Sequence, residues 1–381
     1  MPSDALERPR AGTVFLEDGS RFDGVGFGAT GRRVGEVVFT TGMVGYPESL
    51  TDPSFRGQIL AFTYPLLGNY GAPRRGAVDR DGLPLLESGG VQVRGVVVRG
   101  TSRPNHWGMD GSLDSWLREE GVPGVVGVDT RRLTQHLRAH GVLRGAIDVA
   151  PSERPTSDDD LARAIRRAPA YPEENLVAEV APERPQLIAR NGGPLIAFLD
   201  CGTKSSIVRA LLARGASVLR LPPEESVPSR WKGRRVAGLV VSNGPGDPAT
   251  LATTIEELGR PSVRELPTLG ICLGHQLLAL SRGGRTFKLK YGHRGQNKTV
   301  CFPNGRAVIV SENHGYAVEP ASLAGTGLEP WATNPDDGTI EGLRDAGGRL
   351  LALQGHPEGH PGPQEAGFVF DRFAEKVRRR A

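Results

Sequence analysis

Cysteine is scarce in this chain. Only Cys201, Cys272 and Cys301 occur in 381 residues, and no two of them form a C-x-x-C pair. That spacing argues against a structural zinc site and against a disulfide framework, and reduced thiols are expected. Long apolar runs are missing too: no stretch approaches the ~18 consecutive apolar residues of a membrane-spanning helix. Met1 to Gly12 is polar and charged, without the apolar centre of a secretory leader, so a cytoplasmic location is expected. No G-x-x-x-x-G-K-[ST] segment is present, which excludes a nucleotide site of that kind. Charge of one sign is barely in excess, with 47 basic and 43 acidic residues giving a net +4. The basic run Arg378-Arg379-Arg380 reads as a solvated tail, so no nucleic-acid surface is expected. Internal repeats are absent.

What remains is a turn-rich globular sequence. Its 52 glycines and 30 prolines punctuate regular segments, and a hydrophobic content of 38% suffices for two cores. The first part, 1–152, reads as β-rich. Thr13-Val14-Phe15-Leu16 before Glu17-Asp18-Gly19 signals a hairpin, and Val91 to Arg99 predicts another strand. One helix interrupts it, capped by Asp129 or Thr130, with Leu133, Leu137 and His140 on one face and Gly141 at its end. Residues 153–192 form a proline-punctuated connector with a short helix near Asp160 to Arg167. From 193 to 381 strands and helices alternate: strand Leu195 to Asp200, helix Ser205 to Arg214, strand Ser217 to Leu221, strand Val236 to Val241. That pattern predicts an α/β domain with a mostly parallel sheet.

The segment Gly270-Ile271-Cys272-Leu273-Gly274-His275-Gln276 carries the chemistry. Leu266-Pro267-Thr268-Leu269 leads in as a short strand, and Gln276-Leu277-Leu278-Ala279-Leu280 continues as a helix. A cysteine between two glycines at such a junction matches a nucleophile elbow with sulfur in place of oxygen. At a helix N-terminus the dipole and free N–H groups favour a thiolate, and the Leu273 N–H can face an oxyanion. The competing reading is a buried structural cysteine. A base weighs against it. Leu350 to Gln354 reads as a buried strand that runs into Gly355-His356-Pro357-Glu358-Gly359, where an i, i+2 spacing turns the imidazole and carboxylate the same way. Cys272, His356 and Glu358 are thus the candidate catalytic triad. Seven other histidines, His106, His136, His140, His275, His293, His314 and His360, compete for the role of base, and strand-end placement favours His356.

With the loop Ser242-Asn243-Gly244-Pro245-Gly246-Asp247-Pro248, these motifs resemble a class I glutamine amidotransferase. The first half resembles one subset of them. Val37 to Phe55, Thr63 to Gly71, Gly127-Val128-Asp129-Thr130-Arg131 and, later, Tyr291 to Asn297 are similar to the small-chain family of carbamoyl phosphate synthetases, the glutamine-hydrolysing subunit. The likeness runs from about Gly12 to Phe373. Glutaminases of GMP synthetase, anthranilate synthase and CTP synthase lack this N-terminal domain. The resemblance implies that Cys272 attacks the side-chain amide of glutamine, forming a γ-glutamyl thioester and ammonia, and that His356 shuttles the protons. It implies glutamine-binding residues Ser54, Gly244, Gly246, Leu273, Gln276, Asn313, Gly315 and Tyr316, with Ser54 contributed by the N-terminal domain. It also implies a heterodimer with a large chain that receives the ammonia. ATP and magnesium would bind on that partner, with no cofactor or metal on this chain, and the carbamoyl phosphate would serve arginine and pyrimidine biosynthesis. Two positions depart from the family pattern. Gly355 replaces an aromatic residue, which predicts looser packing beside His356. Ser206 in Lys204-Ser205-Ser206 replaces an asparagine, a change to which the sequence assigns no role.

Overall fold

The structure, a computed structural model, describes residues 9–74, 76–108, 110–171, 174–189 and 192–381. Most of the polar start and Pro172 of the connector lie outside the described residues. The chain forms two compact units. The first takes the chain up to Thr51, then Phe55–Ala77 and Gly89–Glu174; the second takes Asp52–Ser54, Val78–Ser88 and Asn175–Ala381.

In the first unit the strands close into a barrel. The order around it is Arg10–Leu16, Arg21–Gly28, Pro123–Val126, Gly95–Val98, Gln58–Phe62, Gly31–Thr40 and Leu143–Val149. Closure removes the exposed edges that an open sheet would present. The expected hairpin is the pair Arg10–Leu16 and Arg21–Gly28. The strand expected over Val91 to Arg99 is shorter, Gly95–Val98, because the Gln92 N–H turns to the Leu50 carbonyl instead of a barrel neighbour. The helix Thr130–His140 starts where Asp129 accepts the Arg132 N–H at 2.9 Å. Leu133 and Leu137 are buried, whereas His140 is exposed at the last helical position, its ring 4.5 Å from that of His136. The helix of the expected connector, Asp158–Arg167, has three aspartates in its first turn and two arginines in its last, as the helix dipole favours. Its Leu161 and Ile165 are buried against Phe15 and Ala146, so this segment packs as part of the first unit's core.

The second unit is built on one long mixed sheet. Its five central strands run parallel in the order Ser217–Leu221, Leu195–Leu199, Arg234–Val241, Thr268–Ile271 and Leu350–Leu353. Beyond Leu350–Leu353 the expected parallel arrangement gives way to antiparallel strands, Ile340–Asp345, Leu328–Thr333, Thr286–Cys301 and Ala307–Val318. Short turns connect these strands, and only antiparallel pairing accommodates such connections. Along the central strands alternate residues serve two cores. Ile196, Phe198, Val240, Leu269 and Ile271 face one that includes the helix Phe368–Arg380; Ala197, Leu199, Leu239, Val241 and Ala352 face the other, with Leu273–Leu280. Burial on both faces explains the nearly continuous apolar runs of these strands. Their carboxyl ends carry the residues singled out above. Among the described residues no helix is long and apolar enough to cross a membrane.

Candidate active site

The elbow forms as its sequence predicts. Thr268–Ile271 is buried between parallel neighbours, and the chain then turns at Cys272 into Leu273–Leu280. Cys272 sits at φ 53° and ψ −105°, a conformation that costs a non-glycine residue on the order of 1–3 kcal/mol. The neighbours enforce it. The Cys272 N–H donates to the Leu353 carbonyl at 2.9 Å and the Gly274 N–H donates to the Ser242 carbonyl at 2.9 Å. A Cβ on Gly274 would lie 2.1 Å from the Val241 carbonyl oxygen, which leaves glycine as the one residue that fits. Gly274→Ala is therefore expected to destabilise the second unit by at least about 1–3 kcal/mol, measured as a lower urea midpoint with unchanged slope. The Leu273 N–H belongs to the first helical turn, whose N–H groups have no intrahelical acceptor.

Behind the elbow lies a buried chain of charge. The imidazole Nδ1 of His356 meets Glu358 Oε1 at 2.7 Å, and the same oxygen accepts from Lys204 Nζ at 2.7 Å. The side chains of His356, Glu358 and Lys204 are 2%, 1% and 2% exposed, so water screens none of these contacts. Burial opposes the charge on Glu358, but Lys204 and then His356 hold its carboxyl far below the usual range. For His356, burial also disfavours the cation; Glu358 overrides it and pushes the imidazole up to about 10, with Lys204 working the other way. Nε2 of His356 has no hydrogen-bond partner among the described residues, although the Cys272 thiol is close enough to raise the imidazole's proton affinity. That nitrogen, beside the thiol, is the working end of the pair.

This linkage has a definite sign. A histidine whose folded value rises from 6.5 to about 10 contributes stability that is complete below 6.5 and is lost as pH climbs through about 10. Stability of the second unit is expected to fall across that window. Urea midpoints measured against pH check it, and His356→Asn is expected to flatten the slope.

Residues that the sequence did not single out complete the site. Gln354 Nε2 points at Cys272 Sγ from 3.6 Å, and Gln354 Oε1 accepts from Gln276 Nε2 at 3.0 Å. The backbone N–H of Lys204 donates to Asn243 Oδ1 at 3.2 Å, in a loop that Asp200 Oδ1 ties down through the N–H groups of Gly202 and Thr203. Ser206 now has a role: its hydroxyl donates to the buried carboxylate of Glu87, which itself faces Lys204. The looser packing expected beside His356 is not found. A Cβ on Gly355 would lie 2.6 Å from Val310 Cγ2, so the valine occupies the space, and His356 is 2% exposed. The methyl groups of Val310, on the strand Ala307–Val318 that bridges to His356 through Ser311, fill what an aromatic side chain here would have taken.

The eight residues expected to hold glutamine make the following contacts. Ser54, although early in the chain, clusters with the second unit, where its hydroxyl accepts from Asn243 Nδ2 at 2.9 Å. Gly244 packs against Leu273, whose Cδ2 would be 2.8 Å from an added Cβ, and Gly246 has open space around it at φ 89°. Asn313 Nδ2 donates to Asp52 Oδ2 at 3.2 Å. Gln276 donates its amide nitrogen to the Tyr316 carbonyl at 2.8 Å. Gly315 continues the same strand, Ala307–Val318, between Asn313 and Tyr316. Of the competing histidines, His275 follows the elbow directly but is fully buried; burial, then His314, pushes it down to about 3. His293 and His314 belong to a different cluster.

Comparison with known proteins follows the same division. Residues 14–147 match the family model described as carbamoyl-phosphate synthase small chain, CPSase domain. Residues 197–376 match that of glutamine amidotransferase class-I. The chain is 43% identical over 369 residues to the carbamoyl phosphate synthase small chain of Pyrococcus furiosus, covering 96% of this chain and 97% of that protein. The corresponding protein of Pyrobaculum aerophilum is 44% identical over 366 residues, covering 96% and 99%. That of Symbiobacterium thermophilum is 43% identical over 369 residues, covering 96% and 98%.

Proposed function

We infer, from the premise that the chain belongs to the carbamoyl phosphate synthase small-chain family and carries a class I glutamine amidotransferase domain, that it hydrolyses glutamine and hands the ammonia to a large partner chain. Cys272 attacks the side-chain amide carbon of glutamine as the thiolate, and the developing oxyanion is met by N–H groups at the start of Leu273–Leu280. The C–N bond breaks as His356 donates its Nε2 proton to the departing nitrogen, leaving a γ-glutamyl thioester. Water then attacks the thioester while the same nitrogen takes a proton, releasing glutamate and restoring the thiolate–imidazolium pair. Glu358 fixes the tautomer and orientation of His356, and Lys204 holds Glu358 in its charged form.

The observation that carries this reading is the buried Lys204–Glu358–His356 chain ending beside a cysteine held at positive φ. Ser54, Gly244, Gly246, Asn313 and Gly315 would surround the substrate, with Leu273, Gln276 and Tyr316 supporting them. ATP, magnesium and bicarbonate chemistry is assigned to the large chain, in the cytoplasm, for arginine and pyrimidine biosynthesis; this chain would carry no nucleotide. The test is carbamoyl phosphate formation from bicarbonate and ATP by the cognate large chain. Ammonium should support it with or without the small chain, whereas glutamine should support it only when both are present. Failure of glutamine to drive the reaction in the reconstituted pair would overturn the assignment.

A further inference from the structure

A second cluster of chemistry lies on the antiparallel side of the sheet. His293 and His314 face each other across the ladder between Thr286–Cys301 and Ala307–Val318. Glu312 stands on the second of these strands, and Glu341 comes from Ile340–Asp345. All four are buried, and one ligand atom from each lies within 4.8 Å of the others. The proposed mechanism uses none of them.

Their hydrogen bonds leave the arrangement incomplete. Nδ1 of His314 lies 2.8 Å from the Tyr316 carbonyl oxygen, an acceptor only, so this nitrogen carries the proton. Nε2 then presents its lone pair to Glu312 Oε2 at 3.4 Å. His293 repeats the pattern with the opposite nitrogen. Its Nε2 lies 2.9 Å from the Asp337 carboxylate, and Nδ1 lies 3.1 Å from Glu312 Oε2 and 3.9 Å from Glu341 Oε1. Oε1 of Glu312 and Oε2 of Glu341 are likewise buried without a partner among the described residues. Two imidazoles and two buried carboxylates therefore converge on one point, and Glu312 and Glu341 repel each other there, an arrangement that burial makes costly.

We propose that His293, Glu312, His314 and Glu341 bind one divalent metal ion with the ligand preferences of zinc. Two neutral imidazoles and two carboxylates supply four ligands and balance a charge of two. Tetrahedral coordination at about 2.0–2.1 Å places ligand atoms roughly 3.3 Å apart, and the nitrogen–oxygen separations of 3.1, 3.4 and 3.9 Å bracket that value. The far nitrogens already hold the partners that metal-bound histidines require, the Asp337 carboxylate and a backbone carbonyl. Such an ion would tie three strands together behind the segment that carries Asn313, Gly315 and Tyr316. The Tyr316 carbonyl accepts from both His314 and Gln276, and Gln276 bonds Gln354, which reaches Cys272. The metal is thus a positioning element, outside the reaction itself.

The experiment uses the full chain, stripped with chelator and titrated with zinc and with cobalt as the metals alone. About one equivalent of zinc per chain, retained through gel filtration and raising the unfolding temperature, is the expected result. Cobalt should give the visible absorption of a tetrahedral nitrogen–oxygen site. Glu312→Gln combined with Glu341→Gln should reduce retained zinc at least tenfold. Two results would overturn the proposal: no saturable zinc binding by wild type, or zinc retained equally by the double variant. A third is a cobalt spectrum dominated by thiolate charge transfer, which would place the ion on a cysteine. That spectrum is read on wild type, so a misfolded variant cannot mask the answer.

Discussion

Cys272→Ala should lower glutamine-driven carbamoyl phosphate synthesis by at least about four orders of magnitude while leaving the ammonium-driven rate of the same pair unchanged. The first half of this expectation follows from covalent chemistry, since an alanine at the elbow offers no nucleophile and the thioester cannot form. The second half follows from where the chemistry is assigned: phosphorylation and carbamate formation occur on the large chain and need only ammonia. Folding should not confound the comparison. Cys272 is 2% exposed, and besides the His356 imidazole its thiol meets Gln354 at 3.6 Å and the Asn313 carbonyl at 3.8 Å, both long contacts, so its loss removes little more than one sulfur atom's packing. Equal loss of both rates would show that the substitution had damaged the complex.

Glu358→Gln is expected to be nearly as damaging to catalysis and far more damaging to stability. An amide no longer favours the imidazolium of His356 and can present its N–H to Nδ1, which selects the wrong tautomer; comparable substitutions in serine triads lower turnover by about four orders of magnitude. It also leaves the Lys204 ammonium, 2% exposed, without its 2.7 Å counter-charge. Breaking a buried pair from one side costs about 3–5 kcal/mol. Lys204 also faces Glu87 and Asp52, which tempers the loss. Substituting both members, Lys204→Met with Glu358→Gln, should recover part of the stability and none of the activity. Denaturant midpoints and glutaminase rates for the two single variants and the double variant check this; additive stability losses would show that the pair is not coupled.

The elbow and the His356–Glu358 pair were legible because each is local. Two glycines flanking a cysteine between an apolar strand and an apolar helix permit one turn, and a two-residue spacing fixes the direction of the carboxylate. Lys204 was not legible in this way. It lies 154 positions from Glu358, and only the parallel order of Leu195–Leu199, Arg234–Val241, Thr268–Ile271 and Leu350–Leu353 brings the two loops together. The His293, Glu312, His314 and Glu341 cluster escaped for the same reason. Cysteine spacing argued against zinc, but this set has no short spacing to read and appears only when the register of three antiparallel strands is known. Gly355 misled for a physical reason as well, because the volume beside His356 is supplied by Val310 from the strand Ala307–Val318, a compensation invisible in one sequence. The mixed character of the sheet was hidden because an apolar pattern marks a strand without giving its direction, and strands such as Thr286–Cys301 carry no clean alternation.

The central claim is that Cys272 forms a covalent γ-glutamyl intermediate, and acid quenching during turnover with glutamine, followed by mass spectrometry of the digested chain, tests it most directly. One γ-glutamyl group should appear on the peptide containing Cys272 during turnover of the wild type, and should be absent from Cys272→Ala. Sustained glutamine hydrolysis with no acyl group on Cys272 in any of these proteins, or with the group on Cys201 or Cys301, would contradict the account.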